Sequence, residues 1–137
     1  VNNPGILAQT ATRIRKSFEY AQPRGSAKGA TMRTIMVLNA KGGCRKITLA
    51  SNLASYYAAQ GNAVALVDFD PQKSGLEWLK ARSENDWEIV GIDGTASDMH
   101  IPRNIEVVVF DAPAGVSGKE LTAMVRKADT ILFPVLP

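Results

Sequence analysis

Three loops that follow apolar strand candidates carry the residues most able to do chemistry in this 137-residue chain. Residues 40–48 (AKGGCRKIT) are rich in glycine and basic side chains, residues 68–72 (DFDPQ) present two aspartates, and residues 111–115 (DAPAG) present one. Ligands of open parallel sheets bind beyond the carboxyl ends of the strands. Backbone N–H groups bind phosphate, and carboxylates hold the water shell of Mg²⁺. The three loops together therefore predict a site for phosphate and Mg²⁺.

Alternating strand and helix patterns would position these loops. The pattern predicts strands at 34–39, 63–69, 87–92, 106–110 and 130–136, and helices at 47–60, 75–83 and 119–128. On the first helix, Ala50, Leu53, Ala54 and Tyr57 recur at the three-and-four spacing of one buried face. Strands that alternate with helices favour βαβ units with right-handed crossovers. We therefore predict an α/β fold with a mostly parallel sheet of about five strands.

The composition is that of an ordinary globular protein. Hydrophobic residues make up 45% and charged residues 21% of the chain, which excludes bulk disorder and fibrous classes. No apolar run approaches the roughly 20 residues that a membrane span needs. The single cysteine, Cys44, excludes an internal disulfide framework and favours a reducing compartment, most simply the cytoplasm.

Positive charge is concentrated at the start of the chain. Residues 1–33 hold six basic side chains and one acidic side chain, and residues 22–31 (QPRGSAKGAT) have the composition of a linker. We expect a basic, flexible leader over 1–31 and a nucleotide-binding domain over 32–137. The leader is interpreted as a solvated tail, or as sequence upstream of a true start at Met32. An arm that contacts nucleic acid is the alternative, but no aromatic stacking pattern supports it.

The three loops resemble motifs of the ParA/MinD ATPases. Residues 41–46 (KGGCRK) resemble the deviant Walker A loop of that family, whose pattern KGGxxK is followed by Ser or Thr. Residues 67–72 (VDFDPQ) are similar to its second-strand motif, and residues 110–115 (FDAPAG) to its Walker B and switch II segment. The DPQ sequence is closest to ParA-type partitioning proteins. The resemblance implies a P-loop NTPase-like sheet flanked by helices, whose later strands we expect beyond residue 137.

The resemblance also implies roles for individual residues. Lys46 would contact the β- and γ-phosphates of ATP, and Lys41 would cross a dimer interface to the partner's nucleotide. Asp70 would orient or activate the attacking water, Asp111 would hold a water bound to Mg²⁺, and Asp68 would support switch I. Further cofactor contacts are expected from the loop and the first helical turn, at Gly42, Gly43, Cys44, Arg45, Ile47 and Thr48.

Family likeness further implies a cycle in which an ATP-bound homodimer binds DNA without sequence preference. A partner protein would stimulate hydrolysis and release the dimer. The predicted function is thus an ATP-dependent partitioning or positioning switch that acts in the cytoplasm, with ATP and Mg²⁺ as cofactors and no membrane partner.

Two positions depart from the family pattern. Arg45 stands where glycine is usual, and a positive φ there would cost roughly 1–3 kcal/mol for another residue. Ile47 stands where a Ser or Thr hydroxyl would bind Mg²⁺, and it offers no oxygen. Lys73 also replaces a residue that is usually small. These departures leave open a pseudo-ATPase or truncated remnant with impaired nucleotide and Mg²⁺ binding. A P-loop metabolic synthetase or amidoligase is a second alternative, against which the Asp-Pro-Gln segment argues.

Overall fold

The computed structural model describes residues 31–39 and 45–135, which form five strands and three helices. The order along the chain is β1 (Arg33–Val37), α1 (Lys46–Ala59), β2 (Val64–Asp68), α2 (Ser74–Lys80), β3 (Ile89–Asp93), β4 (Val107–Asp111), α3 (Gly118–Val125) and β5 (Thr130–Leu132). Each predicted element within the described ranges is present. The predicted leader over 1–31 lies almost entirely outside them.

All strand pairs of the sheet are parallel, and the strand order is β3-β2-β4-β1-β5. The register brings the last residues of four strands into one row. Asp68 pairs with Asp93 on one side and with Asp111 on the other, and Asp111 pairs with Val37. Because the strands run in the same direction, the three aspartates lie at the carboxyl edge of the sheet.

Helices cover both faces of the sheet. On one face, α1 and α2 pack through Ala50, Ala54 and Trp78 against the inward side chains of β1, β2 and β4. On the other face, Met124 of α3 packs against Met36 and neighbouring strand residues. β2 and β4 are buried throughout. Because helices cover both faces of these strands, nearly every position in them is apolar.

The sequence predicts the end of helix α1 better than the end of strand β5. Helix α1 stops at Ala59, and Gly61 follows with φ 85°, so the predicted glycine stop is confirmed. Strand β5 ends at Leu132 rather than at residue 136. Pro134 has no N–H to donate to a ladder, and its carbonyl instead accepts a hydrogen bond from the Asn39 side chain at 2.7 Å. Across the described ranges, no helix is both long and apolar enough to cross a membrane.

The aromatic ring of Phe69 is held where β2 gives way to its loop. A Cβ added to Gly94 would lie 2.6 Å from Cδ1 of Phe69, and the Phe69 ring stacks at a tilt on Phe110 with centroids 5.8 Å apart. The backbone N–H of Gly94 also donates to the Asp68 carbonyl at 2.9 Å. Only glycine at position 94 leaves room for this ring.

We expect Gly94→Ala to lower the free energy of unfolding by about 1–3 kcal/mol, because the added methyl overlaps the Phe69 ring. Urea unfolding measures the loss. In a Phe69→Leu background the smaller side chain makes room, so the same substitution should cost at most half as much. An equal cost in both backgrounds would show that the ring is not the obstacle.

Candidate functional site

Three charged side chains are buried at the carboxyl edge of the sheet, and they form the candidate site. Asp68 is fully buried, Asp111 is 2% exposed, and Lys46, the first residue of α1, is 8% exposed. Burial of charge is expensive unless partners or a bound ion compensate for it. The hydrogen bonds of each group therefore show what it does.

Asp68 uses both carboxylate oxygens to bind backbone amides. Its Oδ1 accepts from the N–H of Asp70 at 2.9 Å, and its Oδ2 accepts from the N–H groups of Gly75 at 2.8 Å and Leu76 at 3.2 Å. The Gly75 and Leu76 amides belong to the first turn of α2, where backbone N–H groups lack intrahelical partners. Asp68 thus caps α2 from the neighbouring strand and fixes the loop between them. The role of Asp68 in supporting switch I stays a prediction.

The carboxyl of Asp111 is buried and incompletely hydrogen-bonded by the described residues. Its Oδ1 has no hydrogen-bond partner among the described residues. Burial, together with the negative charges of Asp68 and Asp70, raises the pKa of the Asp111 carboxyl to about 7, while the positive charge of Lys46 acts in the opposite direction. A buried carboxyl of this kind is satisfied by a proton, by an ordered water or by a cation with its water shell.

The N-terminus of α1 enters the site through a strained residue. Arg45 is the N-cap and has φ 54° and ψ 35°, so it adopts the left-handed conformation that is costly for a residue other than glycine. The side chain of Arg45 makes no capping hydrogen bond to this helix. The amide of Leu49 donates to the Arg45 carbonyl at 3.2 Å, whereas the three preceding amides have no carbonyl one turn earlier inside the helix. Such amides favour an anion, and the macrodipole of a 14-residue helix adds to the attraction.

The side chain of Ile47 lies where the beginnings of α1 and α2 meet. A Cβ added to Gly75 would lie 3.1 Å from Cδ1 of Ile47 and 3.0 Å from Oδ2 of Asp68. Gly75 therefore allows the two helices to approach closely above the Asp68 carboxylate. Ile47 fills this junction with hydrocarbon and brings no oxygen to it. Thr48 is exposed, and its carbonyl accepts hydrogen bonds from the side chains of Ser51 and Asn52.

Asp70 is half-buried in the loop that Asp68 holds. Its Oδ1 accepts the N–H of Gln72 at 2.8 Å, and its carbonyl accepts the N–H of Lys73 at 3.0 Å. The negative charge of Asp70 contributes to the raised pKa of Asp111, so the two carboxyls act on each other through space. The loop thus brings Asp70 to the same edge of the sheet as Asp111.

One part of the site was missed at the level of sequence. The ammonium of Lys73 contacts Oδ1 of Asp93 at 2.5 Å and Oγ1 of Thr95 at 2.8 Å. The Lys73 hydrogen bond, helped by those from Thr95, lowers the pKa of Asp93 to about 2. The available signal was an acidic residue directly after the strand predicted at 87–92, and in the structure this residue occupies the same register position as Asp68 and Asp111. The remaining predicted residues, Lys41, Gly42, Gly43 and Cys44, lie outside the described ranges.

Comparison with known proteins decides the family. Residues 35–133 match the CobQ/CobB/MinD/ParA nucleotide binding domain. The chain belongs to this family. The matched segment includes the three buried charged side chains of the site and the whole sheet except its first two residues, so the motif resemblance and the family match cover the same part of the chain.

Relatives of this chain include a carboxysome-distribution protein and a chromosome-partitioning ATPase. The chain is 37% identical over 114 residues to a maintenance of carboxysome distribution protein A from Gloeobacter kilaueensis, covering 77% of this chain and 50% of that protein. It is 47% identical over 55 residues to the chromosome-partitioning ATPase Soj from Thermus thermophilus, covering 40% of this chain and 22% of that protein. The chain thus spans about half the length, or less, of these curated relatives.

A solved structure shows the same architecture. FtsY from Mycoplasma mycoides superposes with a TM-score of 0.55 at 15% identity, covering 90% of this chain and 50% of that chain. At this identity the likeness concerns the fold alone. The α/β, P-loop NTPase-like fold with a five-stranded parallel sheet is therefore confirmed.

The titration of Asp111 predicts a pH-dependent stability in the absence of nucleotide and divalent cation. Its pKa is about 7 in the folded chain against 3.8 ordinarily, so the folded state disfavours the charged carboxylate. Stability from this group is fully present below about pH 4 and falls by roughly 1.4 kcal/mol per pH unit up to about pH 7. Asp111→Asn removes the charge. Its stabilising effect in urea unfolding should therefore be near zero at pH 4 and largest at pH 8.

The control is Asp129→Asn, because hydrogen bonds from the Thr34 side chain and amide lower the pKa of the exposed Asp129. That substitution should lose stability at pH 8 relative to low pH, which is the opposite sign. If the stability difference for Asp111→Asn does not change between pH 4 and pH 8, the assigned burial of its charge is wrong.

Proposed function

We propose that this chain binds ATP with Mg²⁺ and acts as a ParA-type ATPase that positions or partitions DNA or another cargo. In this proposal, ATP joins two copies of the protein, the dimer binds DNA without sequence preference, and a partner protein stimulates hydrolysis. Membership of the nucleotide-binding family supports the first step. The names of the relatives, which refer to carboxysome distribution and chromosome partitioning, support a role in positioning or partitioning.

The observation that carries the proposal is the combination of a buried Asp111 carboxyl with the positive charge of Lys46, which acts on it electrostatically. Among the described residues, the buried Asp111 has one carboxyl oxygen without a partner, and Lys46 lies on the first turn of a helix whose N-cap side chain, that of Arg45, makes no capping hydrogen bond. Fixed positive charge beside a carboxyl that needs compensation is the arrangement expected for a phosphate and its cation. A purely structural polar edge would leave no carboxyl oxygen without a partner.

The residues fit Mg²⁺ held through water. Within the described ranges there is no group of three or more His, Cys, Asp or Glu side chains that could hold a metal ion. Asp68 is occupied by amides, and Ile47 has no oxygen to offer, so Asp111 is the carboxyl left to bind the water shell of the ion. When bound, Mg²⁺ neutralises phosphate charge.

The chain's own groups would then divide the work. Lys46 and the first amides of α1 would bind phosphate oxygens, which places the negative charge at the positive end of the helix. Asp70, on the loop held by Asp68, would accept a hydrogen bond from the attacking water and orient it. Lys41 would extend to the nucleotide of the second copy. Asp111 would keep the cation's water in place, and its own raised pKa would fall as the cation arrives.

A second candidate is a relative that binds nucleotide but turns it over poorly. Arg45 occupies a left-handed conformation that glycine adopts without cost, and Ile47 fills the junction of α1 and α2 with hydrocarbon. The guanidinium adds positive charge beside the phosphate position, which favours binding. It does not replace the missing hydroxyl, so binding would survive better than hydrolysis.

Isothermal calorimetry of the full chain with ATP, with and without Mg²⁺, tests the proposal. We expect micromolar binding that Mg²⁺ strengthens. Lys46→Met should abolish binding because the phosphate charge is no longer neutralised, and Asp111→Asn should keep binding but lose most of the strengthening by Mg²⁺. Absence of any binding to the natural chain would refute the proposed function.

Turnover distinguishes the two candidates. If the natural chain binds ATP without hydrolysing it and Arg45→Gly with Ile47→Ser confers turnover, the second candidate is correct. Measurable turnover by the natural chain that this double substitution does not raise would support the active ATPase.

A further inference from the structure

The loop that carries Asp70 is wound tightly by its own backbone. Asp68 accepts the N–H of Asp70, the carboxylate of Asp70 accepts the N–H of Gln72, and the Asp70 carbonyl accepts the N–H of Lys73. Each bond restricts the direction in which the Asp70 side chain points. The last link in the series is Lys73, whose conformation therefore decides whether the turn closes.

Lys73 adopts an unfavourable backbone conformation. Its φ is 53° and its ψ is 32°, which is the left-handed region. This conformation is unfavourable for residues other than glycine, because Cβ comes too close to the following carbonyl oxygen. Without a compensating contact, the strain would favour opening of the turn and release of Asp70.

The side chain of Lys73 supplies that contact. Its ammonium binds Asp93 and Thr95, and the Asp93 Oδ1 that it contacts also accepts the N–H and the hydroxyl of Thr95. Asp93 is the last residue of β3, twenty residues along the chain, and it is the register partner of Asp68. The contact therefore attaches the far end of the Asp70 loop to the edge of the sheet.

This contact differs from an ordinary surface ion pair. Lys80 and Glu77, on the same helix α2, form a pair whose side chains are 71% and 65% exposed, and such pairs contribute little. The Lys73 and Asp93 side chains are 24% and 41% exposed, and a hydroxyl and an amide complete their hydrogen bonds. The pair within α2 joins neighbouring turns of one helix, whereas the Lys73 pair joins two separate segments.

We propose that Lys73 is a positioning residue for Asp70, which it holds in place through its contacts with Asp93 and Thr95. We refer to Lys73, Asp93 and Thr95 as the loop clamp. The consequence for hydrolysis rests on the proposed function, because it assumes that Asp70 orients the attacking water. The clamp also explains how a long basic side chain is accommodated where a small residue is usual.

The test compares Lys73→Met, Asp93→Asn and the two combined, with Lys80→Met as the matched control. Amide hydrogen exchange at positions 72 and 73 reports on the turn whether or not the chain hydrolyses ATP. We expect exchange to rise about threefold or more in each clamp variant and not in the control. The double variant should match the single variants, because both remove the same contact.

Kinetics supplies the second readout. In a chain that hydrolyses ATP, kcat should fall by about tenfold in the clamp variants while the Kd for ATP stays within about twofold, as expected for positioning rather than binding. Lys73→Arg, which keeps the charge, should recover most of kcat. Lys73→Gly separates strain from contact, because it removes the unfavourable φ yet should still accelerate exchange.

The outcomes distinguish the clamp from the proposed function. If the natural chain does not hydrolyse ATP, the ATPase proposal fails, and amide exchange alone decides the clamp. Exchange that is unchanged in Lys73→Met would overturn the clamp. Faster exchange with unchanged kcat would overturn its role in positioning Asp70 for the reaction.

Discussion

The site depends on one buried carboxylate that binds three backbone amides. Asp68 lies at the end of β2, is fully buried, and receives the amides of Asp70, Gly75 and Leu76. These bonds satisfy the first turn of α2 and fix the loop before it. A charge buried this deeply is tolerated because charge-assisted hydrogen bonds replace its water. Asp68 is committed to this task, whereas the neighbouring Asp111 keeps one oxygen without a hydrogen-bond partner among the described residues.

The other charged groups at this edge of the sheet are arranged around Asp68. The parallel register sets Asp111 beside Asp68, and their mutual repulsion adds to the effect of burial in raising the pKa of Asp111. Lys46 and the N-terminus of α1 supply positive charge on the other side. Gly75 lets α1 and α2 begin close together, where Ile47 now fills the junction. A site arranged in this way gains most from a ligand that brings both anionic oxygens and a cation, because the ligand satisfies both sets of groups.

Sequence alone predicted most of the fold because the strands are buried on both faces and read as apolar runs, with polar residues placed directly after them. The glycine usual at position 45 indicated the cost that a positive φ would carry there, and Arg45 does adopt one. The hydrogen-bond partners of Asp68 could not be predicted from the sequence, because a cap supplied from a neighbouring strand depends on the distance between β2 and α2 in space. The contact of Lys73 with Asp93 escaped prediction for a related reason: only the register shows that the last residue of β3 adjoins Asp68. Strand β5 was predicted too long because the apolar residues after Leu132 resemble strand, whereas Pro134 prevents further pairing.

Equilibrium unfolding of Asp68→Asn beside Asp70→Asn tests the central claim most directly. The two substitutions remove the same charge two residues apart, but only Asp68 holds the first turn of α2. Asp68→Asn should lower the free energy of unfolding by at least about 2 kcal/mol, because an amide side chain satisfies fewer of the three N–H groups and places its own donor against them. Asp70→Asn, which affects one half-buried turn, should cost about 1 kcal/mol or less. Equal losses for the two variants, or a loss below about 0.5 kcal/mol for Asp68→Asn, would contradict the view that this carboxylate organises the site.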